Sequence, residues 1–386
     1  MNLNELVPPH SLPFDLNKQT IMLGLSGSRS YGTETPTSDT DYKGILIPPQ
    51  RFFWSPFARF DQHQWKTEEK SGRVSEVDGK PEAAAEGTIY SLPKFIELAA
   101  NCNPSIIEML WLRDQDYLVM TPVGEKLIEN RSLFLSKRAA YSFSGYAHSQ
   151  LKRIQTHRRW LMDPQTTAPE RSDFGLGPEM VISGDQLGAA AKLVERNLRE
   201  IAPWLVEADN QHQEAFFEGL NKIVAVTESQ ANWLQTKAAI EDQIAIKLGF
   251  DSNFMEYLRK EKEFGEARFK YGQYQAWLRN RNPARADLEA RYGYDCKHAM
   301  HLVRLIRMGR EILTTGEINV YRPDREELLR IRNGAWPYDE LVEWAEKEIA
   351  FVNGLVSSPD CVLPRAPNAQ KIEDLCENLM DEFFNN

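Results

Sequence analysis

The sequence predicts an α+β protein: a small head mixing strands and helices over about the first 120 residues, then a longer, mostly α-helical body. Three observations predict it. Short apolar runs bounded by turn residues are confined to the first quarter of the chain. From about residue 104 onward, apolar residues recur at helical spacing in long segments. At 386 residues the chain is long enough for two domains, each with a sizeable core. The expected division is a head over 1–125 and a helical domain over 126–386.

Residues 20–26 (Thr-Ile-Met-Leu-Gly-Leu-Ser) form an apolar run read as a buried strand. Gly27 to Gly32 is a small-residue turn that can open a short helix. Residues 43–47 (Lys-Gly-Ile-Leu-Ile) read as a second strand, closed by Pro48 and Pro49. Residues 61–85 are polar and read as loop, 86–92 alternate as a third strand, and Lys94 to Asn101 reads as helix. Everything after about residue 104 reads as helix, most clearly 136–162, 185–201, 212–248, 254–281, 295–314 and 338–353, broken by Pro/Gly loops such as 163–184.

Composition narrows the function classes. Hydrophobic residues make up 42% and charged residues 26%, as in ordinary folded proteins. No apolar run approaches about 20 residues, so no transmembrane helix and no membrane partner are expected. The start carries Pro8, Pro9 and Pro13 without a basic stretch and does not read as a signal peptide. Cys102, Cys296, Cys361 and Cys376 lie far apart with no C-x-x-C pair, which fits a reducing cytosol and a cytoplasmic location. The net charge of −10 argues against blanket affinity for nucleic acid. It is uneven: residues 1–130 carry 12 Lys and Arg against 18 Asp and Glu, 131–310 carry 27 against 22, and 311–386 carry 7 against 16. The middle third is the polyanion-facing candidate, although solvated helix faces give the same count.

The stretch from Gly27 to Asp41 carries the chemistry. A Gly-Ser turn after a buried strand exposes backbone N–H groups at a helix start, where phosphate binds through free donors and the helix dipole. Ser28 adds a hydroxyl, and Gly27 permits close backbone approach. Asp39 and Asp41 follow at the i, i+2 spacing that places both on one face of a strand. Two converging carboxylates repel unless a cation neutralises them, and oxygen ligands select Mg²⁺ or Mn²⁺. A phosphate cradle beside such a pair is what transfer from a nucleoside triphosphate (NTP) requires. There is no G-x-S-x-G elbow and no Walker A lysine, and Glu68-Glu69 reads as a solvated loop pair.

Gly27-Ser28 followed by Ser38-Asp39-x-Asp41 resembles the signature of the polymerase-β-like nucleotidyltransferase superfamily. More narrowly, the chain resembles the RNA-repair-associated nucleotidyltransferases from about residue 20 to about residue 350. The resemblance rests on Gly27–Gly32 with Ser38–Gly44, Ile89–Leu92 with Lys94-Phe95, Asn103-Pro104 with Glu108, and Gly293–Leu302 with Arg304-Leu305. It implies a polymerase-β-like head with a mixed sheet and flanking helices, a divalent metal (Mg²⁺ or Mn²⁺), and an NTP such as ATP as substrate. It also implies association with RNA ligases. The superfamily's third carboxylate falls on Glu86, where Asp is more usual, with Asp78 and Glu82 as rivals. The resemblance thus gives Asp39, Asp41 and Glu86 as catalytic and metal-binding residues.

Asp295, Lys297, His298 and His301 form a second cluster at helical spacing, continued by Arg304 and Arg307. It reads as a basic helix over the cleft, with Lys297 and His298 on the nucleotide's phosphates. A metal shared by His298 and His301, or plain helix packing, gives the same pattern. Arg29 reads as a phosphate contact or as a salt bridge within the head. Residues 146–160 interleave basic and aromatic side chains that can track RNA, but Leu151, Ile154 and Leu161 also form an amphipathic stripe. Residues 268–285 pose the same choice with denser basic character. The expected RNA acceptor surface is therefore 146–160 with 268–310.

The sequence thus points to an enzyme moving a nucleoside monophosphate (NMP) from an NTP to an acceptor hydroxyl, releasing pyrophosphate, with damaged RNA or tRNA as the expected acceptor. Nucleotidylation of a protein or small molecule keeps the head and changes the acceptor. An inactive nucleotide-binding module in a toxin–antitoxin or defence complex is the reading from another class; the intact Ser28, Asp39 and Asp41 speak against it.

Overall fold

A computed structural model of the protein describes residue 3 and residues 12–36, 38–66, 85–201, 233–281 and 283–385. The chain divides into two units, Met1–Asp163 with Asn282–Asn386, and Pro164–Arg281. The boundary expected near 125 falls inside the first unit, and the C-terminal helices fold together with the head.

The head is a mixed five-stranded sheet: β1 (Thr20–Ser26), β2 (Thr40–Leu46), β3 (Gln62–Lys66), β4 (Ala85–Ser91) and β5 (Tyr117–Met120), in the order β3-β4-β2-β1-β5. β2 and β4 run parallel and the other pairs antiparallel. A one-turn helix, α1 (Gly27–Tyr31), leaves the end of β1 directly. Helix α2 (Leu92–Ala100) follows β4, started by Ser91, whose hydroxyl accepts from the Lys94 N–H, and by a proline in its first turn. Further along come α3 (Pro122–Glu129) and α4 (Arg138–Met162); α5 (Gly184–Ile201), α6 (Trp233–Lys247) and α7 (Ser252–Asn280) make up the second unit; α8 (Pro283–Tyr292), α9 (Cys296–Thr315), α10 (Arg325–Arg332), α11 (Tyr338–Leu355) and α12 (Ala369–Asn385) return to the first.

Two strands correct the sequence expectations. Residues 62–66, read as loop, form β3, an edge strand in which only Trp65 is fully buried, so its polar sequence hides the strand signal. Residues 117–120, read within a helical region, form β5, a four-residue edge strand on β1 too short to show alternation. Of the helix expected over 212–248, only Trp233–Lys247 lies within the described residues. Asp78, Glu82, Glu68 and Glu69 lie outside them.

Alternation explains what the sheet does. Along β2, Asp41, Lys43 and Ile45 share one face, and register places Glu86, Thr88 and Tyr90 of β4 beside them. Ile45 and Tyr90 join the main core, built from α2, α4 and α9 with Phe95, Phe143, Leu302 and Ile306. The opposite face packs Leu23, Leu46 and Ile89 against Trp65 and Leu16. The core face is thus apolar at one end and charged at the other.

A buried polar network sits where these ends meet. Arg304 of α9 donates to Glu108 at 2.6 Å and lies over the Tyr31 ring at 3.7 Å, and the Tyr31 hydroxyl donates to the other Glu108 oxygen at 2.6 Å. Glu108 and Arg304 are 4% and 6% exposed. Breaking one half of a buried pair strands the other charge, at a cost of about 3–5 kcal/mol. Arg304→Met is therefore expected to destabilise the chain by about that amount, and Arg304→Met with Glu108→Leu by less, as read from urea midpoints.

In the second unit, Val194 and Leu198 of α5 pack with Ile244 and Ala245 of α6 and Met255 of α7. Glu261 on α7 accepts from Arg171 at 3.0 Å.

Candidate active site

The end of β1 and the polar end of β2 build the site. Gly27 has φ +64°, a left-handed conformation that turns the chain out of β1. Ser26 pairs with Asp41 across the antiparallel ladder, so the turn lies against that aspartate. A Cβ on Gly27 would stand 2.1 Å from Asp41 Oδ2; only glycine leaves room for the carboxylate. The Ser30 hydroxyl donates to the Gly27 carbonyl at 2.9 Å, and the Thr33 N–H to the Ser28 carbonyl at 2.9 Å. Beyond the helix, the Thr35 N–H donates to the Ser38 hydroxyl at 2.9 Å.

The C-terminal part of the unit holds this loop in place. The Arg322 N–H donates to the Tyr31 carbonyl at 3.1 Å, and Arg332 donates to the Thr33 carbonyl at 3.0 Å. Arg322, 1% exposed, is itself clamped by Glu311 at 2.7 Å and Asp324 at 2.8 Å.

Asp39, Asp41 and Glu86 line one cavity of about 520 Å³ with Gly27, Ser28 and Lys297. A volume of this size suits a ligand of nucleotide dimensions. Asp41 is half-buried. Burial first, then the charges of Glu86 and Asp39, raise its pKa above the ordinary carboxylate value, opposed by Lys297 and Lys43. Glu86 sits directly beside Asp41 in the β2–β4 register and pairs with Lys66 at 3.2 Å. Three crowded carboxylates offering only oxygen donors are a fit for a divalent cation of the magnesium type, the metal the resemblance implies. The Gly27–Ser28 turn faces the cations Lys297 and Arg332 in the same cavity. With only five residues in α1, the macrodipole adds little.

Lys297 lines the cavity, whereas its neighbour His298 turns away: its Nδ1 lies 2.6 Å from the Gln150 amide oxygen and its Nε2 3.5 Å from Asp295. Arg29 is not among the lining residues; its guanidinium approaches the carbonyl of Ser38, which is. Cys296 is buried, its thiol donating to the Tyr294 carbonyl at 3.6 Å. Burial and Asp295 push its pKa up to about 12, so it stays protonated and unreactive.

Several residues in the same cavity were not singled out from the sequence: Thr35, Glu289, Arg332 and Asn333. The last two come from the end of α10, about 300 residues after the turn they face, and no local pattern marks them. His301, whose role the sequence leaves open, also lines the cavity. Burial and the nearby charges of Arg304, Lys297, His298 and Arg332 hold its pKa well below the ordinary histidine value, so it is neutral at pH 7.

Of the expected acceptor surface, residues 146–160 lie in α4. Leu151 and Ile154 are buried, and Arg158 is engaged by the Tyr338 ring at 4.0 Å and the Gly293 carbonyl at 3.2 Å. Lys152, Arg153 and Arg159 remain exposed. Residues 268–310 are split between the two units: Arg268, Lys270 and Arg279 are exposed on α7, and the side chain of Arg285 lies outside the described residues.

A mixed sheet in which β1 runs into a Gly-Ser turn, with carboxylates on the next two strands of the sheet, is the arrangement of a polymerase-β-like head. Residues 13–163 match the family described as the RNA repair pathway DNA polymerase beta family (RlaP). The Gly293–Leu305 block falls outside the matched stretch. The chain is also similar to an uncharacterised 38.9 kDa protein from the nrdC–mobD intergenic region of Enterobacteria phage T4, 28% identical over 134 residues. That match covers 34% of this chain and 38% of the phage protein. Among the described residues, no helix is long and apolar enough to cross a membrane.

Proposed function

We propose that the protein is a divalent-metal-dependent nucleotidyltransferase that moves an NMP from an NTP to a hydroxyl of RNA and releases pyrophosphate, acting in RNA or tRNA repair beside an RNA ligase. The observation that carries this reading is the gathering of Asp39, Asp41 and Glu86 in one cavity with the Gly27–Ser28 turn and Lys297. The family description supports RNA as the acceptor, and the four free thiols support a cytoplasmic location.

In this mechanism the Gly27–Ser28 turn holds the β- and γ-phosphates, and the Lys297 ammonium faces them from α9. Asp39, Asp41 and Glu86 would hold Mg²⁺ or Mn²⁺, which supplies charge neutralisation and a lowered hydroxyl pKa when bound. Glu86 accepts the proton of the acceptor hydroxyl. That oxygen bonds to the α-phosphorus as the bond to the bridging α–β oxygen breaks, and pyrophosphate leaves toward Ser28 and Lys297. His301, neutral, lines the same space as an uncharged hydrogen-bonding group.

Lys297→Met removes one such charge. It is expected to lower kcat/KM for the NTP by roughly 10²-fold with the melting temperature unchanged, measured by initial rates and scanning calorimetry. The acceptor is tested by incubating the chain with α-labelled ATP, CTP, GTP and UTP, with an RNA pool and alone. Label on RNA supports the reading, and label on the protein itself contradicts it.

A further inference from the structure

A second group of donor atoms lies outside the carboxylate set. His157 on α4, and Asp295 and His298 at the start of α9, each bring one ligand atom to within 4.8 Å of the others. Asp295 Oδ2 stands 4.0 Å from His157 Nδ1 and 3.5 Å from His298 Nε2. Both separations exceed an N–H···O hydrogen bond of about 2.7–3.2 Å. The His298–Asp295 separation lies close to the edge of a tetrahedron around an ion with bonds of about 2.0–2.1 Å, which is roughly 3.3–3.4 Å, and the His157–Asp295 one closes to it by a small side-chain rotation.

The surroundings aim these atoms. Asp295 Oδ1 is used as the α9 N-cap, accepting from the His298 N–H at 3.0 Å, so Oδ2 is the oxygen turned toward the imidazoles. Gln150, two turns before His157 on α4, places its amide oxygen 2.6 Å from His298 Nδ1. A proton there leaves the Nε2 lone pair facing Asp295, the outer contact a metal-bound histidine usually makes. All three side chains are largely shielded, at 17%, 5% and 19% exposure.

We propose that His157, Asp295 and His298 bind one Zn²⁺ ion, with water in the fourth position. Two imidazoles and one carboxylate favour zinc, whereas the all-oxygen set of Asp39, Asp41 and Glu86 favours magnesium, so the chain carries two sites of different selectivity. The zinc ties α4 to the first turn of α9, the turn that carries Lys297 into the cavity. This site does not depend on the proposed reaction, and its test needs no turnover.

The test is metal binding by the untagged full chain, read by elemental analysis after zinc loading and by competition with a chromophoric chelator. One equivalent of Zn²⁺ is expected in the wild type and in Asp39→Asn with Asp41→Asn. Binding is expected to be lost in His157→Ala and His298→Ala, and weakened about tenfold in Gln150→Ala. Co²⁺ in its place is expected to give the visible absorption of a tetrahedral site, lost in the same histidine variants. Zinc held no more tightly by the wild type than by folded His157→Ala with His298→Ala would overturn the proposal. Should the histidine variants not fold, unchanged zinc affinity in Gln150→Ala overturns it.

Discussion

Asp39→Asn combined with Asp41→Asn is expected to lower metal-dependent nucleotide transfer by roughly 10³-fold or more, because a bound cation contributes several kcal/mol and each 1.36 kcal/mol is a factor of ten. The same variant is expected to melt at an unchanged or higher temperature. The sign follows from the crowding: burial, Glu86 and Asp39 all raise the Asp41 pKa, so its ionised form costs folding free energy. Asparagine removes that cost. A residue kept for structure would behave the other way, since removing it would lower stability. Initial rates with α-labelled NTP and scanning calorimetry on the same preparation read both quantities. Wild-type rates in the double variant would sink the assignment.

Gly27→Ala has the second largest expected effect. Its backbone at φ +64° costs an alanine about 1–2 kcal/mol, and the new methyl would stand 2.1 Å from Asp41 Oδ2. The flexible partner is the carboxylate, which turns away. The fold therefore survives with a modest loss, while the cation site loses its geometry. A misplacement of about 1 Å can cost 10²-fold, and a fall of about that size in transfer rate is expected, together with a higher Mg²⁺ concentration for half-maximal rate. An equal loss at saturating and limiting Mg²⁺ would contradict the assigned role.

What the sequence reveals of this site follows from range. The strand at 20–26, the turn after it and the Asp39/Asp41 spacing are encoded within about 20 residues, and the structure brings them together. Glu86 depends on a parallel register that no local pattern specifies; the resemblance supplied it, and it lines the same cavity. Adjacency misleads on helices. Lys297 and His298 are neighbours in sequence, but successive side chains on a helix point about 100° apart, and only Lys297 lines the cavity. Arg332 and Asn333 arrive from a distant helix that looks like any amphipathic segment. β3 and β5 are edge strands, the one polar and the other short, and neither carries the alternation by which strands are recognised.

The most direct measurement follows the fate of the phosphates. With an RNA pool, Mg²⁺ and NTP labelled at either the α- or the γ-phosphorus, the chain is expected to transfer only the α-label to RNA and to release one pyrophosphate per transfer, both lost in Asp39→Asn with Asp41→Asn. Transfer of the γ-label, or α-label incorporation undiminished in that variant, would contradict nucleotidyl transfer at this site.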